Sequence, residues 1–540
     1  MQINPLYQTD SYKHTHRKMI LPSTTHIFSH CTPRSNKYLL KLFPDMDNKY
    51  VVFGVQYVVK KLFDNWNKGF FNTTLDKALA PIKDLQAHFN WSQEEYQDAY
   101  DKFYELLRTH NSLPIEIQAL EEGSVVDVGT PIFTITNTDP NYAWLTNFLE
   151  SYLLSEIFMP VTVATICRHV HNKVKGYFDL ASDIPKDFAQ HCFSYRGHQN
   201  TQVSAVVGMA YALYNKGSDT IASIPYMREY YGQKEVNVFS IAAGEHSVCT
   251  QGILMFKEWI ENLTGNESIN KLSEELVKLQ ISTDNVSCAL KVLADTACPL
   301  ITKAEMLNIL RFMSLYPTQP LAYVADSFDF WSTVQYLPLI KQAILARPTT
   351  APWIIRPDSS DPVDVLLGNG NSTSETEAEC VGLLQYLKQV FGTTTNSKGY
   401  EVLAPQIRVV YGDGINMDRM GRIYKGMTED LNMSPENVCL ALGAYILGNI
   451  TRDSLGFAVK ASYSIVNGEL QETYKDPKTD PGKRSFKGRI AVTYDPKTKQ
   501  YQTFENVTEE YKKDTCVLKT VKPIYTVTFT EIQQRLLNNN

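Results

Sequence analysis

The sequence predicts an α/β protein: an irregular β/α barrel with a second, α+β domain formed by the N- and C-terminal parts of the chain. Three observations carry this. The 540 residues exceed what one hydrophobic core usually supports. From about Asp187 onward, short apolar runs alternate with helical ones. Strand-like text precedes this stretch and resumes after it, in "PIEIQALEEGSVVDVGTPIFTITNTDP" and "RIAVTYDPKTKQYQTF".

The first part reads as helices in "VVFGVQYVVKKLFDNW" and "QEEYQDAYDKFYELLRTH", where apolar residues recur at helical spacing. After the strand text come two helical stretches, "YAWLTNFLESYLLSEIF" and "TVATICRHVHNKVKGYF". The barrel strands are expected in "LAYVAD", "PWIIRPD", "IRVVYGD" and "VCLALGA", brief runs of Val, Ile, Leu and Ala. The first three stop at a carboxylate, and functional groups at the C-terminal ends of strands are where such barrels build active sites. The alternative is that each Asp caps the helix or turn that follows. Residues 262–320 read as a helical insertion, and "GNGNSTSETEAE" as an exposed loop at about 368–379. The division is therefore 1–180, the N-terminal part of the α+β domain; 181–450, the barrel; and 451–540, the C-terminal part.

Composition excludes several classes. With 52 Lys and Arg against 58 Asp and Glu, the net charge of -6 provides no global field for nucleic acid, so an anionic ligand needs local positive charge. No signal peptide is read at the N-terminus and no stretch is read as long and apolar enough to span a bilayer, so a cytoplasmic location is expected. The nine cysteines are scattered and never spaced C-x-x-C, which argues for reduced, mostly buried thiols rather than zinc or disulfides. A Walker loop, a G-x-G-x-x-G and a Ser nucleophile elbow are all missing.

What remains as chemistry is one histidine, several acids and several bases. His246 ends the small-residue run "FSIAAGEH" where a helix could begin, and reads either as packed filler or as a reacting group. Arg356 and Asp358 share one strand end, suited to phosphate and to Mg²⁺ or a sugar hydroxyl, or to a surface ion pair. Asp413 lies between glycines that allow close approach. Lys475, Lys483, Arg484, Lys487 and Arg489 form a basic run, either a solvated loop or a phosphate site.

The order of these pieces, "TDSYKHTH", "FSYRG", "KGSDT", "EHS", "DSFD", "IIRPDS", "GDG", "TRD" and the basic segment 475–489, resembles the nicotinamide phosphoribosyltransferases of the type II phosphoribosyltransferase family over nearly the whole chain. The resemblance implies transfer of phosphoribosyl from phosphoribosyl pyrophosphate to nicotinamide in NAD salvage, by a Mg²⁺-dependent homodimer with shared active sites. Nucleic acid and membrane are not among the partners it implies. Phe193, with Tyr12 of the partner subunit, would sandwich the pyridine ring. Asp219 would accept from the amide NH₂ and repel a carboxylate, and Arg196 would face the ring and the phosphoribosyl group. Arg356, Asp358 and Asp413 match donor positions, the two acids also as Mg²⁺ ligands. Arg34, Arg452 and Lys460 match cations contributed by the partner, Asp10 an active-site acid, and Lys475, Lys483 and Arg489 basic positions near the C-terminus. Ser240 and Gly443 complete the implied substrate-binding set. His246 matches a histidine that accepts the γ-phosphoryl group of ATP, a co-substrate, with Asp326 as its orienter.

Two departures stand out. Ala444 and Tyr445 replace glycines usual before "TRD", and Tyr445 is expected to narrow that loop. Ala458 stands where a hydroxyl residue is often found. The competing readings are a nicotinate phosphoribosyltransferase and a non-catalytic interaction protein on the same scaffold.

Overall fold

The computed structural model describes residues 3–369, 377–479, 483–524 and 526–538. Most of the exposed loop expected at 368–379, and positions 480–482 of the basic segment, lie outside the described residues.

At the centre is a seven-stranded sheet in the order Gly217–Ser218, Gln190–Cys192, Val438–Leu442, Ile407–Tyr411, Trp353–Arg356, Leu321–Val324 and Ala242–Ala243. Every neighbouring pair is parallel. The sheet curls until its edges meet: Phe239 bridges to Gly217, donating to Lys216 O at 2.7 Å and accepting from Ser218 N at 2.9 Å. All four apolar runs read as strands are strands here. Leu321–Val324 is buried at every position, as a parallel strand covered on both faces must be.

A second sheet of six strands joins the two ends of the chain, in the order Glu469–Glu472, Ala458–Val466, Thr24–Thr32, Phe133–Asn137, Ile115–Ala119 and Lys519–Thr520. Its pairs are antiparallel. The stretch 262–320 folds as helices Ile269–Lys278, Thr283–Ala294 and Leu300–Leu315, the last packed on helix His246–Glu261.

Three expectations change. "VVFGVQYVVKKLFDNW" is not helical throughout: Val51 ends a strand, and the helix runs Val55–Trp66 after Gly54 turns the chain at φ 94°. The two helical stretches expected between residues 142 and 178 are mostly one 32-residue helix, Glu150–Ala181, which runs straight through Pro160. That helix is also long and apolar enough to cross a membrane, which the sequence reading denied. However, 67% of its apolar window is buried inside the protein, so its hydropathy reflects a core position. The nine cysteines are all free, and six are buried.

Glu122 ties the two ends of the chain to the barrel. Its buried carboxylate accepts from Gly54 N at 3.1 Å, Gln56 N at 2.6 Å and Tyr231 Oη at 2.9 Å, and its carbonyl accepts from Arg535 of the C-terminal helix. Burial pushes its carboxyl up to about 7, against these hydrogen bonds, which pull it down. Because the folded value lies above an unfolded value of about 4.3, the folded state holds a proton that the unfolded chain has released. This contribution is present in full below about pH 4 and is lost as pH rises through about 7. The stability of the wild type relative to Glu122→Gln, measured by chemical unfolding, is therefore expected to fall by on the order of 3 kcal/mol between pH 4.5 and 7.5. A flat difference would show that the carboxyl titrates alike in both states.

Candidate active site

Because the barrel strands are parallel, their C-terminal ends meet at one rim, and each delivers a residue there. Phe193 follows Gln190–Cys192, and Asp219 follows Gly217–Ser218. Ser240 and His246 flank Ala242–Ala243, and Asp326 follows Leu321–Val324. Arg356 and Asp358 end Trp353–Arg356, Asp413 follows Ile407–Tyr411, and Gly443 follows Val438–Leu442. Backbone bonds join neighbouring ends: Phe193 N donates to Leu442 O at 3.0 Å, Asp219 N to Cys192 O at 3.1 Å, and Ala325 N to Arg356 O at 3.1 Å.

The capping alternative is met by other residues. Asp329 accepts from Ser332 N, and Asp361 from Val363 N, to cap the helices after two of the strands. Asn416 caps the helix after the third by accepting from Arg419 N. Asp326, Asp358 and Asp413 are thereby left to the rim.

Each rim acid except Asp413 is oriented by a neighbour. Asp219 Oδ1 accepts from His191 Nε2 at 2.8 Å and from the Ser240 hydroxyl. Burial acts to raise its carboxyl, but the His191 and Ser240 hydrogen bonds and the charges of His191 and Arg356 outweigh it and hold the group below the usual range. Asp326 Oδ1 accepts from His246 Nε2 at 2.9 Å, and its Oδ2 from the Ser359 hydroxyl. Asp326 is 6% exposed and His246 48%, so the pair has an anchored acid and an open ring. His246 is the first residue of a 16-residue helix, where the backbone N–H groups favour added negative charge.

Arg356 Nη2 donates to Asp358 Oδ2 at 2.9 Å, its guanidinium lies 5.6 Å from the Phe193 ring centroid, and its buried Nε has no partner among the described residues. Gly412 makes room for this pair: a Cβ there would lie 2.0 Å from Asp358 Oδ1 and 3.1 Å from Arg356 Nε. Asp413 and Arg196 are exposed at the rim.

The remaining residues lie elsewhere in the subunit. Asp10, Tyr12 and Arg452 line a cavity of about 820 Å³ with Glu150 and Gln202, and Asp10 accepts from Ser151. Arg34 and Lys460 line a second cavity, of about 250 Å³, with Arg484, the neighbour of Lys483. Lys475 is exposed, its backbone paired with Ser485. Arg489 pairs with Glu509 at 2.6 Å and lies over Tyr463 in a third cavity. Tyr445 does not narrow its loop within the subunit, because its side chain is 68% exposed. Ala444 closes on the "FSYRG" turn instead, where a Cβ on Gly197 would sit 2.3 Å from Ala444 Cβ.

Sequence reasoning missed His191 and Ser359, and read Gly412 only as room beside Asp413. His191 alternates with Phe193 on one strand face, a signal that was available; Ser359 carries none until the rim is assembled.

A curled parallel sheet whose rim gathers oriented acids, an arginine and an aromatic face has the arrangement of a β/α-barrel active site. The chain matches the nicotinate phosphoribosyltransferase (NAPRTase) family over residues 188–525 and belongs to it. It is 30% identical to a nicotinamide phosphoribosyltransferase of Acinetobacter baylyi over 553 residues, covering 99% of this chain and 97% of that protein. It is 29% identical to one of Xanthomonas campestris pv. campestris, covering 93% and 90%. Among solved structures, the fold is similar to human nicotinic acid phosphoribosyltransferase, at TM-score 0.52 and 12% identity over 98% of this chain and 93% of that one. It is likewise similar to nicotinate-nucleotide pyrophosphorylase from Pyrococcus furiosus, at TM-score 0.51 and 12% identity over 99% and 95%.

Gly412→Ala is expected to push the Asp358 carboxylate off Arg356 and lower kcat/KM for the phosphoribosyl donor about 100-fold, with little change in Tm. Wild-type kinetics in this variant would mean that the Arg356–Asp358 geometry is not used.

Proposed function

We propose that the protein transfers the phosphoribosyl group of phosphoribosyl pyrophosphate to the ring nitrogen of nicotinamide, forming nicotinamide mononucleotide and pyrophosphate in NAD salvage. The observation that carries the choice of amide over acid is Asp219. Its Oδ1 accepts from His191 and Ser240, and the group is held ionised, so Oδ2 is left as a charged acceptor. A carboxylate so placed accepts from an amide NH₂ and repels nicotinate. The names of the Acinetobacter and Xanthomonas relatives agree with this reading. The family name and the solved relatives favour the nicotinate alternative.

In this reading Phe193 supplies one face for the pyridine ring, backed by Arg356, and Tyr12 of a second subunit the other. Within one subunit Tyr12 lines the cavity of about 820 Å³, whose lining includes neither Phe193 nor Asp219, which supports a homodimer with shared sites. As the bond from C1 to pyrophosphate breaks, the ribose gains positive charge, which nearby carboxylates favour, while Arg356 and the partner's cations favour the leaving group. Among the described residues no group of three or more His, Cys, Asp or Glu gathers to hold a metal. Asp358 and Asp413 end adjacent strands at the rim, and two carboxylates suit a Mg²⁺ that arrives with the pyrophosphate, since Mg²⁺ is usually held by one or two carboxylates plus substrate phosphates. When bound it would neutralise charge building on the leaving group.

His246 is set up as a nucleophile toward ATP. With Nε2 donating to Asp326, Nδ1 carries the lone pair. Attack on the γ-phosphorus forms an N–P bond, breaks the bond to ADP and leaves the phosphoryl group at a helix N-terminus.

The deciding experiment offers purified protein phosphoribosyl pyrophosphate and Mg²⁺ with nicotinamide or nicotinic acid. Nicotinamide is expected to be preferred, and Asp219→Asn to reduce that preference at least about 10-fold. Preference for the acid by the wild type would overturn the reading. His246→Ala is expected to keep slow transfer but lose stimulation by ATP, and an ATP effect unchanged in that variant would remove the phosphohistidine step.

A further inference from the structure

On the six-stranded sheet, alternate residues His30, Thr32 and Arg34 face the cavity of about 250 Å³ that Lys460 and Arg484 also line. Its one carboxylate, Glu505, is engaged: it accepts from Arg484 Nη2 at 3.1 Å and from Lys487 N at 2.8 Å. Lys460 also pairs with Glu150 at 3.7 Å, outside the cavity lining, and with Arg34 and Arg484 the cavity still carries more positive than negative charge for an anion of phosphate size. Beneath the cations lie two buried polar side chains, Thr32 at 3% exposure and His30 at 2%.

These two are bonded to each other, His30 Nδ1 to Thr32 Oγ1 at 2.8 Å, while His30 Nε2 is buried without a partner among the described residues. Burial, and the charges of Lys460 and Arg34, press the imidazole down to about 3, so the ring is neutral and carries one N–H. Placing that hydrogen on Nε2 would bury an orphaned donor, which proteins avoid more strictly than an unused acceptor. Nδ1–H therefore donates to Thr32, and the Thr32 hydroxyl keeps its own hydrogen for a ligand. The strand register adds a second point: His30 lies opposite Lys460, and Thr32 opposite Ala458, whose side chain has no hydroxyl to offer.

We propose that Thr32 is a phosphate-binding residue, its hydroxyl donating to a phosphate oxygen from across the strand pair in place of the one Ala458 lacks. His30 is the positioning residue that turns it. The inference rests on the reading that Arg34 and Lys460 hold a phosphate of the donor.

Full-length wild type and variants are titrated calorimetrically with ribose 5-phosphate and, separately, with inorganic pyrophosphate, which distinguishes the two phosphate ends of the donor. Thr32→Val is expected to weaken one of the two about 10-fold and to raise KM for phosphoribosyl pyrophosphate more than it lowers kcat. Adding Ala458→Ser to Thr32→Val is expected to restore most of the loss, because it returns a hydroxyl to the facing strand. Unchanged binding of both probes in Thr32→Val, or a loss that Ala458→Ser does not restore, overturns the proposal. Ala458→Ser alone is expected to tighten the same probe several-fold; if Thr32→Val does not fold, the absence of that tightening overturns it. A protein that makes no mononucleotide yet shows the Thr32 dependence would fail the functional reading and leave this inference standing.

Discussion

The site depends on one constraint: the seven barrel strands run in the same direction. Parallel strands end at one rim, so residues more than two hundred positions apart, such as Phe193 and Asp413, share that rim without any long loop reaching across. Closure of the sheet through Phe239 and Gly217 turns that rim into a ring. The helices that return the chain are capped by Asp329, Asp361 and Asn416, and this division of labour leaves the rim acids uncommitted.

The rim acids are held by short-range partners rather than by burial alone. Asp219 has His191 and Ser240, Asp326 has His246 and Ser359, and Asp358 has Arg356. Each pairing leaves an atom over: Oδ2 of Asp219, Nδ1 of His246 and Nε of Arg356. Orientation by a neighbour fixes which atom meets a ligand, at no reorganisation cost when charge develops there.

The second sheet joins the chain's two ends, and it carries charge of the opposite sign to the rim acids. Lys460 lies on it, and Arg34 and Arg484 line the same cavity. Asp10, Tyr12 and Arg452 line a separate large cavity. None of the rim acids lines either cavity, and the rim's own arginine, Arg356, is bonded to Asp358.

The sequence by itself determined the barrel strands and the presence of a carboxylate at the end of three of them. The short, mostly apolar runs "LAYVAD", "PWIIRPD" and "IRVVYGD" are strands. It divided most of Glu150–Ala181 between two helical stretches, whereas burial carries one helix through Pro160 against its local propensity. It left His191 and Ser359 unread and tied Gly412 to Asp413 alone: their roles are contacts with Asp219, Asp326 and Asp358, residues 28, 33 and 54 positions away. Only the tertiary structure decided which acids are caps and which are rim, that Tyr445 points outward while Ala444 meets Gly197, and that Thr32 faces Ala458. Those are distances between strands, and periodicity along a chain contains no information about what lies across from it.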